Sequence, residues 1–154
     1  MAAYYADTSV LVKRHVPETG SAWVRALVNA TPPNLIITTQ LSLVELYSAL
    51  NRRVRTGAVT PPQYQSIVSV INVIWPAQYD IIYVSNALLG EAKLLLEQHP
   101  LRAYDAVQLA SALRARNRLL ATGAAAPIFL SADTQLLAAA KAEGLATDNP
   151  NWHP

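Results

Sequence analysis

The chain has 154 residues, enough to bury one hydrophobic core and too few for two, and it is read as one domain over 1–154. With 52% apolar and 14% charged residues it is not a disordered chain, and its net charge of +2 tolerates a polyanionic partner without demanding one. The absence of cysteine excludes disulfides, thiolate nucleophiles and Cys-ligated metals.

The opening MAAYYADTSVLVKRH lacks a basic segment followed by a long apolar run, so it does not read as a signal peptide. No segment reaches the ~18 uninterrupted apolar residues of a membrane span. The expectation is a cytoplasmic protein with no membrane contact.

Tyr4 to Ala6 predicts a first strand that stops at Asp7, and Thr8 to His15 a short helix broken by Pro17. Glu18 to Val28 predicts a second helix, with Trp23, Val24, Leu27 and Val28 on one face. After the turn Thr31-Pro32-Pro33-Asn34, Leu35 to Thr38 predicts the second strand. Gln40 to Thr56 then repeats apolar residues at helical spacing, closing on Arg52, Arg53 and Arg55 before Gly57. Thr60-Pro61-Pro62 opens a helix that runs to Trp75 and is closed by Pro76. Asp80 to Val84 is a third strand, and Ala87 to Gln98 and Tyr104 to Leu120 are helices. Pro127 to Leu130 is a fourth strand, and Thr134 to Glu143 is a last helix with Gly144 behind it. Leu145 to Thr147 is a short fifth strand. Strands alternating with helices predict an α/β fold, a four- to five-stranded, mostly parallel sheet flanked by helices. Ligands of such sheets lie beyond the carboxyl ends of the strands, where strand order reverses.

Several chemistries lack their parts. The five glycines form neither a dinucleotide fingerprint nor a P-loop, and no G-x-S-x-G or H-E-x-x-H occurs. His15, His99 and His153 are scattered beside turns or the terminus and read as surface residues. Carboxylates remain. Glu18, Glu91, Glu97 and Glu143 read as solvated, and Asp80 and Asp148 as structural or exposed.

Four acids stand where acids are costly. Asp7 ends the first strand, and Asp133 follows the fourth. Asp105 opens an apolar helix, and Glu45 sits mid-helix among Leu43, Val44, Leu46 and Tyr47. Asp7, Asp105 and Asp133 each have an alternative role as N-caps, and Asp105 has Gln108 at capping-box spacing. No cap explains Glu45; its alternative is an ion pair with Arg52 or Arg102. Four convergent carboxylates repel one another and persist beside a cation, and all-oxygen ligands select Mg²⁺ or Mn²⁺. Such an ion pairs with phosphate oxygens, which points to a phosphate ester as substrate.

YADTSVLVKRH, LVELYSAL, RAYDAVQLASAL and FLSADTQLLAAAKAEGL resemble, in order, the four acidic motifs of PIN domains, and within that family the chain is most similar to the VapC toxins. The resemblance spans Asp7 to Leu145. It implies a Rossmann-like PIN fold and Mg²⁺- or Mn²⁺-dependent cleavage of RNA. It also implies a homodimer and inhibition by a cognate antitoxin protein. Carried over by motif, Asp7, Glu45, Asp105 and Asp133 form the acidic quartet, with Asp7 and Asp105 the most direct metal ligands. Ser9 and Ser131 are supporting hydroxyls. Lys13, Arg14, Arg52, Arg53, Arg55 and Arg102 are basic residues near the motifs that can track phosphates, and Lys13, Arg14, Arg52 and Arg102 are the substrate-binding candidates. Two rival readings exist. One is a degenerate PIN domain acting as a non-catalytic RNA- or protein-binding module. The other is an aspartate-nucleophile phosphatase, which wants a second acid where Ser9 stands.

Overall fold

The computed structural model describes residues 1–154. At its centre is a five-stranded sheet in the order β3-β2-β1-β4-β5. β1 (Ala3–Ala6) lies in the middle, between β2 (Leu35–Thr39) and β4 (Ile128–Leu130). β3 (Asp80–Ile82) and the two-residue β5 (Thr147–Asp148) form the edges. All four pairings are parallel, so every connection is a crossover and helices cover both faces.

From β1 the chain passes through α1 (Thr8–His15) and α2 (Ser21–Val28) to β2, then through α3 (Leu41–Arg55) and α4 (Pro61–Gln78) to β3. It returns through α5 (Asn86–Gln98) and α6 (Ala103–Ala121) to β4, on the other side of β1, and α7 (Thr134–Ala142) leads to β5. Strand order therefore reverses between β1 and β4. Asp7 and Ser131, the residues that follow these two strands, border the crevice in which such sheets hold ligands.

Alternation along β1 splits the core. Tyr5 faces a cluster with Ile37, Phe129, Leu88, Leu109 and Leu136, built by the sheet with α5, α6 and α7. Ala6 faces the other, with Leu11, Ile36, Leu46, Leu50, Ile71 and Leu130, built with α1, α3 and α4. In α6 every residue from Ala106 to Ala112 is buried, and its small side chains let it lie close to the sheet. No helix is long and apolar enough to cross a membrane.

Several boundaries differ from the sequence-based expectation. α2 begins at Ser21, not Glu18, because Gly20 adopts φ 82° and turns the chain there. A Cβ at Gly20 would come within 2.2 Å of the Pro150 carbonyl oxygen, in a short 3₁₀ turn (Pro150–Trp152) that no periodicity in the sequence marks. α4 runs through Pro76 to Gln78, although Pro76 has no N–H to donate to the preceding turn. β3 stops at Ile82, and β5 is Thr147–Asp148, because Leu145 is buried beneath α7. The capping box expected at Asp105 is absent. Arg102 is the N-cap of α6, and Asp105 lies inside its first turn.

Candidate active site

Asp7 follows β1 and caps α1, and both of its oxygens are engaged. Oδ1 accepts the Val10 backbone N–H at 3.2 Å and the Ser9 hydroxyl at 2.5 Å, while Oδ2 accepts the Ser131 hydroxyl at 2.6 Å. Ser9 and Ser131 also tie the β1 and β4 loops together. The Ser9 oxygen accepts the N–H of Ala132 at 2.8 Å, and the Ser131 oxygen accepts that of Asp133 at 3.0 Å. Asp133 caps α7, accepting the N–H groups of Gln135 and Leu136. Asp7 and Asp133 thus act as N-caps, while the Ser9 and Ser131 hydroxyls hold the Asp7 carboxylate and the β4 loop.

Glu45 projects from the second turn of α3. Neither Arg52 nor Arg102 pairs with it. Its partner is the uncharged side-chain amide of Gln108, whose Nε2 donates to Glu45 Oε1 at 2.9 Å. Glu45 and Asp105 share an open cleft with Thr8, Ser9, Tyr104 and Ala132, rimmed by Lys13, Arg52, Arg53 and Arg102. Asp7 is 6% exposed and meets the cleft through its Ser9 partner.

Three of these carboxyls are held above the ordinary carboxylate range. Burial pushes Asp7 up to about 6, against the lowering effect of Ser131, Ser9 and the Val10 N–H, with repulsion from Glu45 adding to the rise. Burial raises Glu45, and the Asp105 charge raises it further. Burial likewise raises Asp105, with Asp133 adding to it. The repulsion thus runs in series from Asp133 through Asp105 and Glu45 to Asp7.

Ion pairing separates these acids from the rest. Glu18, Asp80, Glu91, Glu143 and Asp148 each face a basic side chain. The acids without one are Asp7, Glu45, Asp105, Asp133 and Glu97, and only Glu97, exposed on α5, lies away from the site. The solvated reading of Glu18 and Glu143 is corrected accordingly, since both are half-buried, with Glu18 binding Lys13 and Arg53 and Glu143 binding His99; Glu91 is exposed as read and pairs with Arg114 on the surface.

Among the basic candidates, Lys13 is buried and committed to Glu18 and the Thr19 carbonyl. Arg14 points away from the cleft, donating to the Tyr79 hydroxyl at 2.8 Å and to Gln78. Arg52 and Arg102 line the cleft with no ion-pair partner. None of the histidines reaches the site. His99 and His153 pair with Glu143 and Asp148, and the Nε2 of His15 is buried without a partner.

The donor set is all oxygen, and no basic side chain lies within ion-pair distance of it, although the Arg102 charge draws Asp105 down in part; such a set fits a hard divalent ion. No three acidic or imidazole side chains are spaced to enclose an ion between them.

Gln108 belongs to the site although sequence reasoning missed it. It is buried at 2% exposure in an Ala- and Leu-rich helix. The criterion that singles out Glu45, a polar side chain in an apolar run, also points to Gln108, but its capping-box spacing from Asp105 supplies a competing local explanation.

A sequence model described as the PIN domain matches residues 4–142. No curated protein sequence matches the chain. Among solved structures, the chain is similar to Mycobacterium tuberculosis VapC20, a Sarcin-Ricin loop cleaving toxin, at 17% identity and a TM-score of 0.64, covering 98% of this chain and 99% of that one. It is similar to VapBC2 from Rickettsia felis, bound to a DNA fragment from its promoter, at 18% identity and a TM-score of 0.58, covering 96% and 98%. A toxin–antitoxin complex from Klebsiella pneumoniae matches at 18% identity and a TM-score of 0.58, covering 96% and 97%.

Proposed function

This chain belongs to the PIN-domain family, and on that premise we propose that it is a metal-dependent endoribonuclease, the toxin of a VapBC-type pair held in check by a cognate antitoxin. The observation that carries the reading is the set of four unpaired carboxylates, Asp7, Glu45, Asp105 and Asp133, joined in a repulsive series at the switch point of the sheet. Toxin–antitoxin complexes among the structural neighbours support a protein partner. A homodimer and a cytoplasmic setting belong to the same reading.

In this mechanism Asp7 and Asp105 would hold Mg²⁺ or Mn²⁺ most directly, and Asp133 and Glu45 would bind it through water or hold a second ion. When bound, the ion supplies Lewis acidity toward a phosphoryl oxygen and neutralises charge that develops there. Ser9 and Ser131 fix both oxygens of Asp7, so that carboxylate is oriented before substrate arrives. Glu45, raised by burial, is suited to accept the proton of the attacking water. Arg52 and Arg102, free of acid partners, receive RNA phosphates. In-line attack that expels the 3′ oxygen leaves a 5′-phosphate and needs neither a histidine nor the 2′-hydroxyl.

The test is cleavage of a mixed cellular RNA pool by purified, antitoxin-free protein with Mn²⁺, with EDTA, and as Asp7→Asn. Scission that vanishes in both controls supports the reading. Scission that survives in folded Asp7→Asn removes Asp7 from the mechanism, and a folded, Mn²⁺-binding wild type that leaves the pool intact favours a binding module.

A further inference from the structure

We infer that Gln108, anchored by Tyr5, positions the Glu45 carboxylate for its part in the reaction, an inference that rests on the nuclease reading above.

Glu45 has three rotatable side-chain bonds and no capping or ion-pair contact to order it. What holds it comes from another helix. Gln108 Nε2 donates to Glu45 Oε1 at 2.9 Å and to Ser42 Oγ at 2.9 Å, and lies 3.3 Å from Thr8 Oγ1. Its Oε1 accepts the Tyr5 hydroxyl at 2.7 Å. Tyr5 is fully buried in β1, with its ring stacked on Phe129 of β4 at 5.4 Å. The line from Tyr5 through Gln108 to Glu45 therefore joins the centre of the sheet, the buried turn of α6 and the cleft face of α3.

Two features make this arrangement more than packing. An ionised carboxylate only accepts hydrogen bonds, so Glu45 dictates that the NH₂ side of the Gln108 amide faces it. The carbonyl side is then left for Tyr5. The amide can take no second orientation without losing the bond to Glu45. The choice of a neutral donor also matters. A guanidinium here would fix Glu45 equally well but would cancel its charge and compete with a cation. An amide fixes one oxygen and leaves the charge available. Gln108 is thus a positioning residue, acting through Glu45 and not on the substrate.

The test compares wild type, Gln108→Met and Tyr5→Phe. Leu109→Val serves as a control for loss of packing in the same buried turn. Each is measured for Mn²⁺ affinity by titration, for kcat and KM on an RNA the wild type cuts, and for melting temperature. Gln108→Met is expected to lose about 10–100-fold in kcat or in Mn²⁺ affinity, with KM for RNA unchanged. Tyr5→Phe keeps the ring stack and the amide but releases its anchor, so it shows a smaller loss of the same kind. Leu109→Val melts lower and keeps wild-type kcat and Mn²⁺ affinity. A folded Gln108→Met with wild-type kcat and Mn²⁺ affinity overturns the inference. If Gln108→Met does not fold, Tyr5→Phe decides it on the same readouts. Failure of the nuclease reading itself is seen separately, in a wild type that neither cuts RNA nor binds Mn²⁺.

Discussion

At the scale of single residues, one carboxylate serves the fold and, in the proposed mechanism, the chemistry as well. Asp7 caps α1 and ties β1 to β4 through Ser9 and Ser131, yet its charge is opposed by burial and by Glu45. An acid whose pKa is raised by folding destabilises the fold as pH rises from its ordinary range through about 6. Asp7→Asn removes that opposition while losing part of the hydroxyl network. In EDTA-treated protein at pH 7 it is expected to be more stable than wild type by about 1–3 kcal/mol, while inactive. Denaturant melts measure this, and a destabilised Asp7→Asn refutes it. Saturating Mn²⁺ narrows the gap by stabilising the wild type more. His15 acts in the opposite sense. Burial, with Arg14 adding repulsion, pushes it down to about 4 from an ordinary 6.5. Its neutral form belongs to the fold, so stability is full above pH 6.5 and is lost as pH falls toward 4. His15→Phe, an apolar ring with no stranded nitrogen, is expected to remove about 1–3 kcal/mol of acid-dependent loss between those pH values. Parallel pH curves for the two proteins contradict the assignment.

At the scale of elements, turns decide how helices meet the sheet, and two glycines separate two causes. Gly57 follows α3 at φ 79° with open space around its Cα, so Gly57→Ala carries only the backbone penalty of about 1–2 kcal/mol. Gly20 has the same handedness, but its neighbour is the rigid backbone of Pro150. Gly20→Ala therefore costs a further ~1–3 kcal/mol as the C-terminal turn is forced away from α2. Equal melting temperatures for the two variants contradict this. The same contact explains what the sequence made legible. Strand ends, and the acids Asp7 and Asp133 that follow them, announce themselves by a local break from apolar to polar residues. Glu45 announces itself because nothing nearby accounts for it. The start of α2 depends on Pro150, near the other end of the chain. The role of Gln108 depends on Tyr5, which only the β1–α6 packing brings within 2.7 Å. Such contacts leave no local periodicity. Asp105 and Gln108 have capping-box spacing, yet the helix starts one turn earlier than that pattern implies.

At the scale of the whole molecule, charge is sorted and not merely summed. The net charge of +2 is small, but Arg52 and Arg102 stand without an ion-pair partner on the rim of the cleft that Glu45 and Asp105 line, while Lys13 and Arg53 share the Glu18 carboxylate. In the proposed reading, RNA phosphates that meet the first pair release counterions. In Arg52→Ala with Arg102→Ala, the slope of log Kd against log salt is expected to fall by roughly 0.7 for each phosphate that is no longer neutralised. Fluorescence anisotropy with a single-stranded RNA measures it, and an unchanged slope removes these arginines from the RNA path.

The unbroken burial of Ala106 to Ala112 gives α6 no solvent face over nearly two turns. A segment enclosed on every side cannot open by fraying, so its amides are expected to exchange with solvent only through large-scale opening. Asp105 sits one residue before that stretch and Gln108 lies within it. The geometry around Glu45 is therefore tied to a part of the chain expected to exchange slowly, whereas Asp133 stands exposed at the start of α7, its side chain held only by cap bonds to Gln135 and Leu136.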